Sequence, residues 1–245
     1  MHYRQTSMIA LVFAGGYGRR ILEVSERYGC KSLIPVNGQP LLSYVLASLM
    51  SVHRGPIIIC VDREDLLPVF RSFLAGYRNC QLSLFHDSGP GSTVAIVREV
   101  AERFGPVPMC VTYGHHPIPP KHFRQMLALE STTLGLSVYK TSSDWTRKVV
   151  LSEGSRIIGI RRVCGESFDE NNLYADVPYV FPEKLVESVM TEKVDSVQTI
   201  SNWITNGSPV RSFQVQFPHE FHGADELHSV RAYVESQKRL IYGGV

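Results

Sequence analysis

No two of the five cysteines (Cys30, Cys60, Cys80, Cys110 and Cys164) form a C-x-x-C pair, which argues against a structural zinc module. Their number is odd and their spacings are wide, so a disulfide framework is not expected either, and reduced cytosolic thiols fit better. Cys60 and Cys110 lie inside apolar, strand-like runs and read as core residues. Long hydrophobic runs are also missing. Stretches such as Met8–Ala14 and Pro56–Val61 are too short to cross a bilayer. The N-terminal MHYRQTSMIALVFAGG turns at glycine, without the apolar length and cleavage site of a secretory signal. Charge of one sign is scarce: the formal net charge is +2 and no Lys/Arg run occurs, so no nucleic-acid surface is expected. The expectation is a cytoplasmic protein with neither a membrane nor a nucleic acid as partner.

What is present suits a globular domain. Hydrophobic residues make up 44% of the 245 and charged residues 20%, enough for a sizeable core and too apolar for disorder. Met8–Phe13, Pro56–Val61, Gln81–Phe85, Val107–Thr112 and Leu134–Tyr139 read as strands. Between them Pro40–Ser51, Leu66–Leu74, Val94–Phe104 and Lys121–Glu130 carry helical spacing. This alternation predicts a three-layer α/β fold with a mostly parallel sheet, whose strand-end loops gather along one edge. The second half reads differently. Lys148–Leu151 and Arg156–Arg161 form a hairpin around Glu153–Gly154, followed by a strand at Tyr174–Phe181, helices at Pro182–Met190 and Asp195–Thr205, a strand at Val210–Val215 and a closing helix at Asp225–Lys238. One domain over 1–245 is expected, its two halves, 1–140 and 141–245, differing in pattern and sharing a sheet.

The densest signal is Leu11–Leu42, where an apolar run ends in Ala14-Gly15-Gly16-Tyr17-Gly18-Arg19-Arg20 and a lone Lys31 follows. A dinucleotide fingerprint would need a third glycine, where Ile21 stands. A Walker loop would need a glycine before the lysine, where Cys30 stands. The segment instead resembles the opening motif of the nucleotidyltransferase superfamily, including its sugar-phosphate and MobA-like NTP transferases: AGGxGxRL, a spacer, PK, then LxPVxGxPLL. Here the last part is Leu33-Ile34-Pro35-Val36-Asn37-Gly38-Gln39-Pro40-Leu41-Leu42. The resemblance implies a Rossmann-like, GT-A-type sheet with a smaller acceptor-binding lobe. It also implies transfer of a nucleoside monophosphate from an NTP to a sugar phosphate or related phosphorylated alcohol, with release of pyrophosphate.

Physical chemistry agrees with those roles. Ala14, Gly15, Gly16 and Gly18 would let backbone N–H groups approach phosphate oxygens. Arg20 could grip phosphate with its fork, and Lys31 could offer a compact charge to the α-phosphate. The bland alternative is a turn with solvated charges. His86–Ala95 sits where the family carries a turn beside the base, which makes Gly91 and Ser92 nucleotide-binding candidates; an ordinary Ser-capped helix start is the alternative.

Departures from the family pattern concern the metal. The family's Gly-Asp, whose Asp binds Mg²⁺, is here Gly114-His115, and imidazole suits transition ions better. The second family Asp aligns with Glu220, flanked by His219 and His222. The expected cofactor is a divalent ion held by His115 and Glu220, Mg²⁺ or Mn²⁺, or another transition ion if His115 is a ligand. In Tyr174–Phe181, similar to the family's acceptor strand, Asp176 and Tyr179 are the acceptor-binding candidates, with a replacement metal ligand or a plain polar strand-end residue as the other readings of Asp176. Arg161 and Arg162 could meet an acceptor phosphate or face solvent. A glycosyltransferase would need Asp-x-Asp at a central strand end, and Gly114-His115-His116 offers none. Asp62-Arg63-Glu64-Asp65 reads as a helix start. The remaining alternative is a catalytically inactive nucleotide-binding or regulatory homologue; homo-oligomerisation stays open.

Overall fold

A computed structural model describes residues 8–15, 27–77, 80–84, 93–140, 147–154, 156–163, 172–191, 195–215 and 224–241. The chain opens with β1 (Ile9–Phe13), a one-turn helix at Lys31–Leu33, the short strands β2 (Pro35–Val36) and β3 (Gln39–Pro40), and α1 (Leu41–Met50). Next come β4 (Ile57–Val61), a second one-turn helix at Glu64–Leu66, α2 (Leu67–Leu74), β5 (Cys80–Leu84), α3 (Thr93–Phe104), β6 (Met109–Tyr113), α4 (Pro120–Leu127) and β7 (Leu134–Tyr139). The rest is β8 (Arg147–Glu153), β9 (Arg156–Val163), β10 (Leu173–Phe181), α5 (Glu183–Thr191), α6 (Ser196–Thr205), β11 (Val210–Gln214) and α7 (Ala224–Ile241). The described strands other than β2 and β3 form one large, mostly parallel sheet in the order β11-β7-β10-β6-β1-β4-β5, with β8 also paired to β10 and carrying β9. The α/β class read from the alternation is therefore observed. No helix of the described residues is long and apolar enough to cross a membrane.

Contacts divide the chain into two compact units. One comprises residues 9–86, 111–127 and 217–245. Its β1 runs parallel to β4, Ala10 opposite Ile57 and Phe13 opposite Cys60, and β4 runs parallel to β5. Ala10, Leu11 and Val12 are fully buried, as are Ile57, Ile58 and Ile59, which is why these strands read as unbroken apolar runs rather than alternating ones. Pro40 enters α1 with φ −55°, and Leu41, Leu42, Val45, Leu46 and Leu49 are buried as the helical spacing requires.

Between Pro35 and Pro40 the structure adds a feature the sequence reading passed over. Asn37 (φ 50°) and Gly38 (φ 79°) both lie in the left-handed region, the geometry of a type I′ hairpin joining β2 to β3. The Asn-Gly dipeptide is the usual signal for such a turn, here hidden inside a longer motif. Ile34, Val36, Leu41 and Tyr44 bury their side chains with Leu227, Val230 and Val234 of α7. The Tyr44 hydroxyl donates to the Val36 carbonyl at 2.8 Å, and Asn37 Nδ2 donates to Glu235 Oε2 at 2.6 Å. The last helix thus clamps the tip of the signature segment.

The other unit comprises residues 1–8, 87–110 and 128–216. All six residues of β7 are buried, with β11 parallel on one side and β10 antiparallel on the other. The β8–β9 hairpin turns at Glu153–Gly154 as expected, and both strands are longer than the sequence suggested. Asp195 caps α6, its carboxylate accepting from Val197 N at 2.7 Å and Gln198 N at 3.0 Å. Arg98 of α3 donates through Nε to the Val189 carbonyl of α5 at 2.7 Å. β10 runs antiparallel to β7 and β8, because the strand–helix alternation that enforces parallel pairing ends at β7.

Candidate active site

In the first unit three chain segments meet at Gly114. The end of β6 bonds to the end of β1, Gly114 N donating to the Phe13 carbonyl at 2.8 Å. A Cβ on Gly114 would lie 2.8 Å from Ser32 Oγ, 3.1 Å from Leu42 Cδ1 and 3.2 Å from the Ala14 Cβ. The backbone beside His115 is therefore in contact with the loop exit at Ala14, with the turn that carries Lys31 and with the start of α1. The resemblance had linked these segments only by sequence order.

Gly15 is similarly constrained. A Cβ there would fall 2.6 Å from Val61 Cγ1, 2.8 Å from Val61 Cα and 2.9 Å from Asp62 N. Only glycine lets the chain leave β1 so close to the end of β4, a packing requirement that stands beside the phosphate role expected of it. Gly16, Gly18, Arg20, Gly91, Ser92 and Glu220 lie outside the described residues.

Lys31 opens the one-turn helix and is only 8% exposed. A lysine so enclosed has little room to search, so its backbone decides where the ammonium points. The Ser32 and Thr112 hydroxyls are buried with no hydrogen-bond partner among the described residues. An unmet buried hydroxyl costs about 1–3 kcal/mol, which a bound water or ligand oxygen would relieve. His115 is half-buried and stacks on Tyr113 at 5.3 Å and 10°, while His116 is buried at 1% exposure and tilts against both rings. Among the described residues no group of three or more His, Cys, Asp and Glu could hold a metal ion, so His115 does not by itself define a centre.

In the second unit the two acceptor candidates, Asp176 and Tyr179, lie beside Lys148. Lys148 Nζ of β8 lies 3.0 Å from the Tyr179 hydroxyl, 3.9 Å from Asp176 Oδ1 and 5.0 Å from the Tyr179 ring centroid. Tyr179 is fully buried, and burial together with the Asp176 charge pushes its phenol well above the usual tyrosine value, so it stays protonated. Asp176 Oδ1 accepts from Val177 N at 2.8 Å, beside a register shift in the β10–β7 pairing between Asp176 and Tyr179. Lys148 escaped the sequence reading because a single lysine in a hairpin strand gives no periodic signal. Its partners come from β10 through antiparallel pairing, Lys148 opposite Ala175. Arg161 and Arg162 are exposed, and Arg162 lies 3.8 Å from Asp195. Cys60 and Cys110 are core residues, as read.

The mostly parallel sheet brings Ala14, Ser32 and Gly114 together in one unit, and comparison with known proteins gives the class, a nucleotidyltransferase. The profile of the MobA-like NTP transferase domain matches residues 10–191, and the chain belongs to that family. No curated protein matches at the sequence level. Solved structures show the same fold. One is a proposed glucose-1-phosphate thymidylyltransferase from Bacillus anthracis in complex with a sucrose, with TM-score 0.74 and 15% identity over 92% of this chain and 94% of that one. Another is the inositol-1-phosphate CTP transferase from T. maritima, with TM-score 0.70 and 18% identity over 96% and 98%.

Proposed function

We propose that the protein transfers a nucleoside monophosphate from an NTP to a phosphorylated alcohol, with sugar phosphates the first class to test. A phosphate oxygen of the acceptor attacks the α-phosphorus. A new P–O bond forms, the bond from the α-phosphorus to the bridging oxygen breaks, and pyrophosphate leaves with that electron pair. The observation that carries this reading is the meeting of Ala14, the Lys31–Ser32 turn and Gly114-His115 at one point. Lys31 neutralises charge on the α-phosphate as it builds up during attack. Arg20 holds the departing phosphates, and Gly15, Gly16 and Gly18 let the backbone approach them. Gly91 and Ser92 border the base. Asp176 and Tyr179 orient acceptor hydroxyls, with Lys148 beside them as a counter-charge. The buried Ser32 hydroxyl supports the assignment, because a substrate oxygen would satisfy it.

A divalent ion, Mg²⁺ or Mn²⁺, would supply charge neutralisation of the phosphates when bound. Its proposed protein ligands are His115 and Glu220, one imidazole and one carboxylate, a pair better suited to a transition ion than to Mg²⁺. The reaction would run in the cytoplasm.

The test is pyrophosphate release from each common NTP against a panel of sugar 1-phosphates and inositol phosphates, in Mg²⁺ and in Mn²⁺. Release that requires both substrates is expected. Tight NTP binding with no release for any pair would instead identify a nucleotide-binding homologue without turnover.

A further inference from the structure

We propose that Arg63 is a positioning residue for Lys31, anchoring the turn that aims the lysine ammonium; the proposal rests on the role given to Lys31 above. The turn is weakly held by its own bonds. It spans three residues, its N-cap Cys30 is extended (φ −159°, ψ 166°), and no side chain caps it. Its internal bonds, Leu33 N to the Cys30 carbonyl and Ile34 N to the Lys31 carbonyl, are each 3.2 Å, at the long end of the normal range. Just before it, Gly29 adopts φ +81°, and a Cβ there would lie 2.8 Å from Leu66 Cδ2. The chain therefore enters the turn through a conformation that side-chain-bearing residues rarely adopt, close to Leu66 in the segment after β4.

Arg63 belongs to that segment. Its Nη1 donates to the Gly29 carbonyl at 2.6 Å, two residues before Lys31. Its other face is fixed by Asp65, with Nε donating to Oδ1 at 3.0 Å and Nη2 donating to Oδ2. A guanidinium held by a carboxylate fork on one side is restrained in orientation, so the bond on its other side helps set where Gly29 sits. The Arg63 side chain is 19% exposed against 63% for Asp65, so the arginine is the sheltered partner. Because Lys31 is enclosed, a shift of about 1 Å in its backbone carries straight through to the ammonium, an error that costs on the order of a hundredfold in rate where geometry is critical. Asp62-Arg63-Glu64-Asp65 thus serves as a brace for the lysine turn as well as a helix start.

The experiment is a double-mutant cycle of Arg63→Ala and Lys31→Ala. It is read as single-turnover pyrophosphate release with enzyme in excess, as the dissociation constant for the NTP, and as the thermal midpoint. Arg63→Ala is expected to lower the rate roughly 10- to 100-fold when Lys31 is present, and by less than about threefold in Lys31→Ala. Arg63→Lys should recover only part of the loss, because one ammonium cannot serve the Asp65 fork and the Gly29 carbonyl together. Equal fold losses in both backgrounds would overturn the proposal and point instead to a direct arginine–phosphate contact or general loosening. Full turnover in Lys31→Ala alone would overturn the lysine assignment and the brace with it, a result distinct from additivity. Should Arg63→Ala fail to melt cooperatively, Arg63→Lys and Asp65→Asn enter the same cycle under the same criteria.

Discussion

The surroundings of Gly114 and of Asp176, the proposed nucleotide and acceptor sites, are held by different interactions. At Gly114 the constraint is steric: Ala14, Ser32 and Leu42 leave no room for a methyl group, and Gly15 is equally confined by Val61 and Asp62. At Asp176 it is polar: one lysine spans a carboxylate and a buried phenol. A packed cluster loses its geometry when an atom is added. A charge cluster keeps its shape when a head group is removed and changes instead what it attracts. On the proposed assignment, the packed cluster would hold the triphosphate and the charge cluster the acceptor.

The largest expected effect tests the packed cluster for chemistry. Lys31→Ala should lower kcat/KM for pyrophosphate release by about 10²–10³-fold, with the thermal midpoint little changed. A loss confined to KM would mean that Lys31 serves binding alone. Next is packing itself. Gly114→Ala should destabilise by about 1–3 kcal/mol and depress turnover, because Ser32 or Ala14 must give way. Gly159→Ala on β9, whose added Cβ would meet only Leu151 Cδ1 at an ordinary 3.7 Å, should stay within about 0.5 kcal/mol of the parent. Similar costs at the two glycines, measured by urea unfolding, would end the claim that Gly114 is a close-packed junction.

The polar cluster is expected to respond in specificity rather than stability. Lys148→Met should raise the acceptor KM roughly tenfold, since Asp176 then repels an anionic acceptor, while the NTP KM stays within about twofold. Asp176→Asn added to Lys148→Met should recover part of that loss. A rise in the NTP KM of equal size would remove the distinction between the two clusters.

Legibility in the sequence followed the same divide. β1, β4 and α1 could be read directly because burial on both faces of a strand, or on one stripe of a helix, forces a periodicity that survives without neighbours. Lys31 became a candidate through its spacing from the glycines. Lys148 and Arg63 were not, because their partners lie on segments whose approach depends on sheet register and loop path: Ala175 opposite Lys148, and Gly29 against the loop after β4. The antiparallel course of β10 was hidden for a related reason, since nothing local to Leu173–Phe181 records the direction of its neighbours.

The smallest expected effect concerns how the Gly114 unit, its packing extended through α4, responds to acid. His122 on α4 is 5% exposed, and burial lowers its imidazole from 6.5 to about 4. The folded state therefore keeps His122 neutral where an unfolded chain would take up a proton. The unfolded state binds more protons between these two values, so stability is complete above pH 6.5 and declines as pH falls towards about 4. Between pH 7.5 and pH 6 this one group should cost about 1 kcal/mol. His53, also lowered by burial, adds in the same direction. Urea unfolding of the parent and of His122→Gln at the two pH values measures the difference. A smaller pH dependence in His122→Gln is expected, and an unchanged one would show that the imidazole reaches solvent or a compensating charge.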